Sequence, residues 1–305
     1  MEKFEINILG CGSALPTTRH YSSSQVLNIR EKLYMIDCGE ATQMQLRRSK
    51  LKFSRLNHIF ISHLHGDHCF GLIGLISTFG LLGRTASLHI YAQKDLETIL
   101  KPQIEYFCKG ITYEVVFHTI DPTKHEMIHE DRSVEVYSLP LRHRVPCCGF
   151  LFKEKPTLPN IKRDMIDAYN IPTFMIPRIK AGENYITNDG DVVPNARLVI
   201  PAPQPRKYAY CSDTMYIPDT LVPQIMDCDL LFHEATFAND NLSRAKETCH
   251  STAEQAADIA KQSRARKLLI GHFSARYEDE SVLLKEAQKI FMNTELSREN
   301  MIVKL

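Results

Sequence analysis

Six consecutive residues, His63-Leu64-His65-Gly66-Asp67-His68, set three imidazoles and a carboxylate where an apolar strand should end, and no other feature constrains this 305-residue chain so tightly. The preceding Asn57-His58-Ile59-Phe60-Ile61-Ser62 is apolar and β-branched and reads as a short buried strand, while Cys69 to Leu82 reads as the helix that follows. The cluster therefore belongs to a strand-to-helix loop, where α/β proteins keep their chemistry. Neutral imidazole and carboxylate suit zinc or a similar divalent ion. A single ion cannot easily take four ligands from one tight loop, so two neighbouring ions are the better reading. One histidine alone would say little, because His is commonly half-buried for no functional reason; the density of the hexamer is the signal.

With 44% hydrophobic residues the chain can bury a substantial core, as one large domain or two small ones. The balance of 37 Lys and Arg against 36 Asp and Glu excludes a globally basic nucleic-acid binder, so any polyanion must be met locally. Nine cysteines without a CxxC pair, Cys147 and Cys148 being adjacent, do not form the pattern of a secreted disulfide framework and point to a reducing cytoplasm. Met1-Glu2-Lys3-Phe4-Glu5-Ile6 has no signal-peptide pattern. The longest mainly apolar run, Phe70 to Gly83, is interrupted by glycine and shorter than the ~20 residues of a membrane span, so no membrane is expected.

Alternating strand patterns at Phe4 to Leu9, Gln25 to Ile29 and Leu33 to Asp37, with a helical pattern at Ala41 to Arg48, lead into the histidine loop as a meander feeding a βα unit. Further strands are expected at Leu88 to Tyr91, Tyr113 to Phe117, Ser133 to Leu139 and Gly149 to Phe152, with a helix at Asp95 to Phe107. From about Lys153 to Arg206 the character changes: eight of the 15 prolines fall there, which breaks regular ladders and marks an inserted arm. Within it, Ile161 to Tyr169 suits a short helix and Tyr185 to Val193 a hairpin around Asn188-Asp189-Gly190. Regular βα alternation then returns, with strands at Tyr208 to Ser212, Leu230 to His233 and Lys267 to Gly271 and helices at Thr252 to Gln262 and Glu280 to Ile290.

A dinuclear site needs ligands from elsewhere. His143 follows the Ser133 to Leu139 strand, Asp213 ends Tyr208-Ala209-Tyr210-Cys211-Ser212, and His272 ends Leu268-Leu269-Ile270-Gly271. Each lies just past an apolar run, as His63 does, and loops at one edge of layered sheets converge.

Together with the opening Gly10-Cys11-Gly12-Ser13-Ala14-Leu15-Pro16-Thr17, these residues resemble the metallo-β-lactamase superfamily, and specifically the ribonuclease Z family of tRNA 3′-processing endonucleases. His233-Glu234-Ala235-Thr236-Phe237 and His250-Ser251-Thr252 are similar to two short motifs that mark that branch. The resemblance spans nearly the whole chain. It implies an α/β fold, the αβ/βα four-layer sandwich, formed by residues 1–305 as one domain with the 153–206 arm inserted. It also implies two zinc ions per subunit: His63, His65 and His143 on one, Asp67, His68 and His272 on the other, and Asp213 bridging. A bridging carboxylate makes physical sense between two mutually repelling dications. Asp67 would be general base in a metal-hydroxide attack on the phosphodiester. His250 would protonate the leaving 3′ oxygen, with Glu234 holding its tautomer. The expected substrate is precursor tRNA, cut to a tRNA 3′-hydroxyl and a 5′-phosphorylated trailer; a cytoplasmic homodimer is also implied.

The plainer roles of these residues are those of turn and helix-start groups: Glu234 and His250 beside a helix N-terminus, Ser212-Asp213-Thr214 as turn chemistry. The loop with Arg19, Ser22 and Ser23 is expected at the cleft, and Arg47, Arg48, Lys50, Lys52 and Arg55 form either a solvated face or a landing strip for RNA backbone. In the family the arm grips tRNA away from the cut and is rich in Gly and Pro; here Ile171-Pro172-Thr173-Phe174-Met175-Ile176-Pro177 lacks glycine, so its binding residues do not carry over. Two rival functions remain: a small phosphodiester or sulfate-ester hydrolase of the same superfamily, and a metal-poor RNA-binding module.

Overall fold

In the computed structural model, which describes residues 2–305, fourteen strands form two seven-stranded sheets and four more form two short pairs. The first runs, edge to edge, Ile302–Lys304, Phe4–Gly10, Ser24–Ile29, Lys32–Ile36, Leu56–Phe60, Leu88–Ala92 and Val115–Thr119. The second runs Thr294–Leu296, Leu268–Gly271, Leu230–Glu234, Lys207–Cys211, Cys147–Glu154, Val134–Leu141 and Met127–Glu130. Each sheet is antiparallel at its hairpins and parallel where helices return the chain.

The period-2 alternation of the strands sorts side chains into two layers. Tyr34, Ile36 and Phe60 join Phe150, Phe152, Tyr208 and Tyr210 between the sheets, while Leu33, Met35 and Ile59 face the other way. That outer face is covered by the Leu72–Leu81 helix, whose Leu72, Leu75, Ile76 and Phe79 are buried at helical spacing. The Ala253–Gln262 and Ser281–Ile290 helices, through Ala253, Ala256, Ala257, Leu283 and Ala287, pack with the core that holds the second sheet. The central strands are thus covered on both faces, and Ser24–Ile29 has no exposed residue, its polar Ser24, Gln25 and Asn28 included.

Three local expectations shift. The helix expected over Cys69 to Leu82 is two pieces, Gly66–Cys69 and Leu72–Leu81, so Asp67 and His68 sit inside a helical turn, not ahead of one. The break brings the backbone in close: Gly71 N–H donates to Cys38 O at 2.8 Å and Cys38 N–H to His68 O at 2.8 Å. Gly39 permits this, since a Cβ there would come within 2.2 Å of Asp67 O. The strand at Tyr113 starts later, at Val115. Several short elements escape the sequence patterns, among them the Met127–Glu130, Thr294–Leu296 and Ile302–Lys304 strands and the Leu242–Thr248 helix.

Residues Glu154–Pro205 form a compact unit of their own. It has a small core of Ile171, Ile179, Tyr185, Val193, Leu198 and Val199, a helix at Arg163–Ala168, and a hairpin pairing Tyr185–Ile186 with Val192–Val193. Gly190, with φ of +89°, closes that hairpin.

Candidate metal centre and active site

The sheet ends deliver the predicted residues to one place. His63 follows the Leu56–Phe60 strand, Asp213 the Lys207–Cys211 strand and His272 the Leu268–Gly271 strand, where its φ of +62° turns the chain sharply inward. His143 follows Val134–Leu141. His63 Nε2 lies 3.0 Å from His65 Nδ1, and His143 Nε2 lies 3.3 Å from that same His65 nitrogen. In a second group, Asp67 Oδ2 lies 3.2 Å from His68 Nε2 and 3.3 Å from His272 Nε2.

Asp213 stands between them. Its Oδ2 faces the first group, 3.6 Å from His63 Nε2 and 3.8 Å from His143 Nε2. Its Oδ1 faces the second, 3.2 Å from His272 Nε2 and 3.5 Å from His68 Nε2. The donor atoms of His63, His65, His143 and Asp213, and separately those of Asp67, His68 and His272, lie close enough to share an ion. Two of the buried atoms involved, His68 Nε2 and Asp213 Oδ1, have no hydrogen-bond partner. Buried polar atoms are rarely left so, and orphans aimed at one point suit a cation.

Electrostatics agrees. Burial opposes charge on His68, yet Asp67, Asp37 and Asp213 around it raise its pKa well above the usual imidazole range. Burial drives His63 the other way, keeping it neutral. Asp67 and Asp213 resist the upward push of burial because imidazoles surround them, and both stay ionised. The negative charge that holds a proton on His68 is the charge a dication would relieve.

A second ring of groups fixes these imidazoles. Asp37, fully buried, takes hydrogen bonds from the Ser62 N–H at 2.8 Å, the Tyr210 hydroxyl at 2.7 Å and His68 Nδ1 at 2.8 Å. Cys249 O meets His143 Nδ1 at 2.9 Å. Thr236 Oγ1, 2.9 Å from His272 Nδ1, donates to Glu234 Oε2 at 2.7 Å. Glu234 is fully buried, and its Oε1 lies 2.9 Å from His250 Nδ1. Burial would lower the His250 pKa, but the charge and hydrogen bond of Glu234 outweigh it and hold it at about 9. Glu234 thus serves two histidines, one directly and one through Thr236. Asp37, Thr236 and Cys249 were missed from sequence; Asp37 shares the signal of His63, a polar group at a strand end.

Over the centre opens a cavity of about 320 Å³ lined by Ala14, Pro16, Ser22, Glu40, His65, Gly66, Asp67, Phe70 and Arg144. Of the loop residues expected there, Ser22 reaches it; Ser23 is buried and bonds Gly12 O, and Arg19 Nη2 donates to Ala275 O at 3.1 Å. In the basic run, Arg48 donates to the Tyr21 hydroxyl at 2.7 Å and Arg55 pairs with Glu31.

Two family models match the chain, one described as anti-Pycsar protein Apyc1 over residues 4–160 and one as a beta-lactamase superfamily domain over residues 172–273. Over its whole length the chain is 63% identical to the ribonuclease Z of Phocaeicola vulgatus, covering 98% of that protein, and 61% identical to that of Bacteroides fragilis, covering 100%. The crystal structure of human tRNase Z, short form, superposes with a TM-score of 0.71 at 26% identity, covering 98% of each chain.

Proposed function

The chain belongs to the ribonuclease Z family, and from that membership we propose that it removes 3′ trailers from precursor tRNA by metal-dependent hydrolysis, with two zinc ions per subunit. The observation that carries the metal reading is Asp213, a buried carboxylate with one oxygen toward each of two ligand groups. His63, His65 and His143 would hold one ion, Asp67, His68 and His272 the other, with Asp213 shared. Zinc bound there supplies Lewis acidity, lowering the pKa of water toward ~7 and offsetting charge that builds on the phosphate.

The remaining steps belong to side chains. Asp67 lines the cavity and stays ionised, so it can take the proton of the attacking water. As the P–O3′ bond breaks, the oxygen leaving with the tRNA needs a proton. His250, charged below pH about 9, can give it from Nε2, because Nδ1 is committed to Glu234. The products are a tRNA with a 3′-hydroxyl and a trailer with a 5′-phosphate. Arg144, beside the cavity, adds a cation for the scissile phosphate.

The Glu154–Pro205 unit is the proposed tRNA-gripping arm. A homodimer is supported by exposed apolar side chains at two packed helices: Leu81 and Leu82 at the end of one, Ile99, Tyr106 and Phe107 on the other. Among the described residues no helix is long and apolar enough to cross a membrane, and the cytoplasm is the proposed compartment.

The test is cleavage of an end-labelled precursor tRNA by the purified protein, with and without chelator, beside Asp67→Ala and a small phosphodiester. One chelator-sensitive cut after the unpaired base that follows the acceptor stem, lost in the variant, is expected. Activity confined to the small ester would make the chain a small-phosphodiester hydrolase instead.

A further inference from the structure

Phe70 has no part in the core, yet it sits at a close approach of chain segments. It directly follows the Gly66–Cys69 helical turn that carries Asp67 and His68. Its backbone is pinned, with Phe70 N–H donating to Gly66 O at 2.9 Å and the next residue, Gly71, donating to Cys38 O at 2.8 Å. Its ring lies against Gly66, where an added Cβ would come within 2.3 Å of Cε2 and 2.5 Å of Cζ. Absence of a side chain at Gly66 is therefore what lets the ring rest there. Even so, Phe70 is 71% exposed and joins neither of the two large apolar clusters. An aromatic ring held in place while most of its surface faces water contributes little to folding.

What it does face is the cavity over the metal centre, which it lines together with His65, Asp67, Ser22 and Arg144. The Arg144 guanidinium and the His65 imidazole of that cavity, with a cation held beside Asp67 to offset the Asp67 and Glu40 carboxylates, suit a phosphate; a phenyl ring does not. A nucleotide chain whose phosphate lies among those groups carries a flat, aromatic base immediately beside it. We propose that Phe70 is the stacking platform for the nucleobase that flanks the scissile phosphate. Stacking on a phenyl face is indifferent to base identity, because every base presents a π-face, and so suits a strand whose sequence varies at that position. The ring fixes the strand next to the cut and so favours one phosphate over its neighbours.

This inference rests on the endoribonuclease reading, and the experiment separates the two. Wild-type protein and the Phe70→Ala, Phe70→Leu and Phe70→Trp variants are assayed on the intact precursor and on precursors made abasic at either nucleotide flanking the cut. Phe70→Ala and Phe70→Leu are expected to lower kcat/KM on the intact precursor by roughly 5- to 150-fold, mainly through KM, with Phe70→Trp restoring it. On the precursor abasic at the stacked position, Phe70→Ala is expected to lose nothing further, since ring and base are one interaction. Unchanged metal content and Tm in Phe70→Ala would confirm that the centre is intact. An unaltered kcat/KM in Phe70→Ala, or the same fold loss on every abasic precursor, overturns the stacking role. A wild-type protein that cuts no precursor at all removes the endoribonuclease reading instead.

Discussion

Asp37 is buried to zero exposure at the end of its strand, in a left-handed conformation with φ of +56°, and it anchors His68 from behind. Among the described residues the other group near His68 Nδ1 is the uncharged Ser62 hydroxyl at 3.4 Å. Asp37→Asn keeps the shape but removes the charge, and metal affinity measured by chelator competition should fall about 10- to 100-fold. An unchanged affinity would leave Asp37 a purely structural group. His250 offers a different contrast, because the reading gives it a proton to donate and no metal to hold. Removing it in His250→Ala should cut the rate about 10²- to 10⁴-fold while metal content stays at the wild-type value. A precursor with sulfur in place of the leaving 3′ oxygen, which departs without a proton, should recover most of that loss. If it recovers none, the donor is another group.

At the scale of elements, the Ala253–Gln262 helix begins with a capping box: Gln255 N–H donates to Thr252 Oγ1 at 3.3 Å, and Thr252 N–H donates to Gln255 Oε1 at 3.0 Å. The cap fixes the direction of the preceding His250 and Ser251, whose N–H donates to Glu234 Oε1 at 2.9 Å. Thr252→Ala should therefore lower stability by about 1 kcal/mol, read as a drop in Tm, and also reduce the cleavage rate. A stability loss with full activity would show that the His250 alignment does not depend on the cap. For the Glu154–Pro205 unit, which has its own apolar core, deletion should damage precursor cleavage far more than hydrolysis of a small phosphodiester. Equal damage to both substrates would refute the gripping role.

Across the whole molecule, four histidines outside the centre meet at one edge of the space between the sheets. His58 and His89 stack at 5.2 Å, His89 Nδ1 lies 3.0 Å from His118 Nε2, and His129, from the second sheet, sits 4.3 Å from His58. Burial first, and the neighbouring imidazoles His129 and His89 second, push His58 down to about 3. His118 and His129 are lowered by burial too. The other groups facing the cluster are Asp131, which favours charge on His58 and His129, with Lys32, Tyr34 and Tyr91. Unfolding lets His58 take up a proton below its ordinary value of 6.5 that it refuses while folded, so this group's contribution is complete above pH 6.5 and is lost progressively down to about pH 3. Tm should thus fall as pH drops from 7 to 5, and fall less in His58→Phe. Parallel curves for the two proteins would mean that the cluster does not govern acid stability.

Much of this was legible along the chain. The hexamer declared its chemistry because its candidate ligands are neighbours, and the strands declared themselves because each alternates between two apolar layers, as Leu33, Tyr34, Met35 and Ile36 do. The helix break at Phe70 and Gly71 was not visible, since it goes with the contact between Gly71 and Cys38 across the fold. Ile302–Lys304 was hidden for the same reason: it is a strand because it pairs with Glu5, Ile6 and Asn7 at the far end of the chain. Sequence by itself determined which residues have the chemistry to hold a cation or move a proton, and the periodicity that buries the rest. Tertiary structure decided that Asp213 faces two groups of candidate ligands at once, that Glu234 serves both His250 and His272, and that Phe70 stays exposed beside them. Such facts depend on strand pairing and close approach between segments far apart in the chain, and no local pattern encodes a distance across a fold.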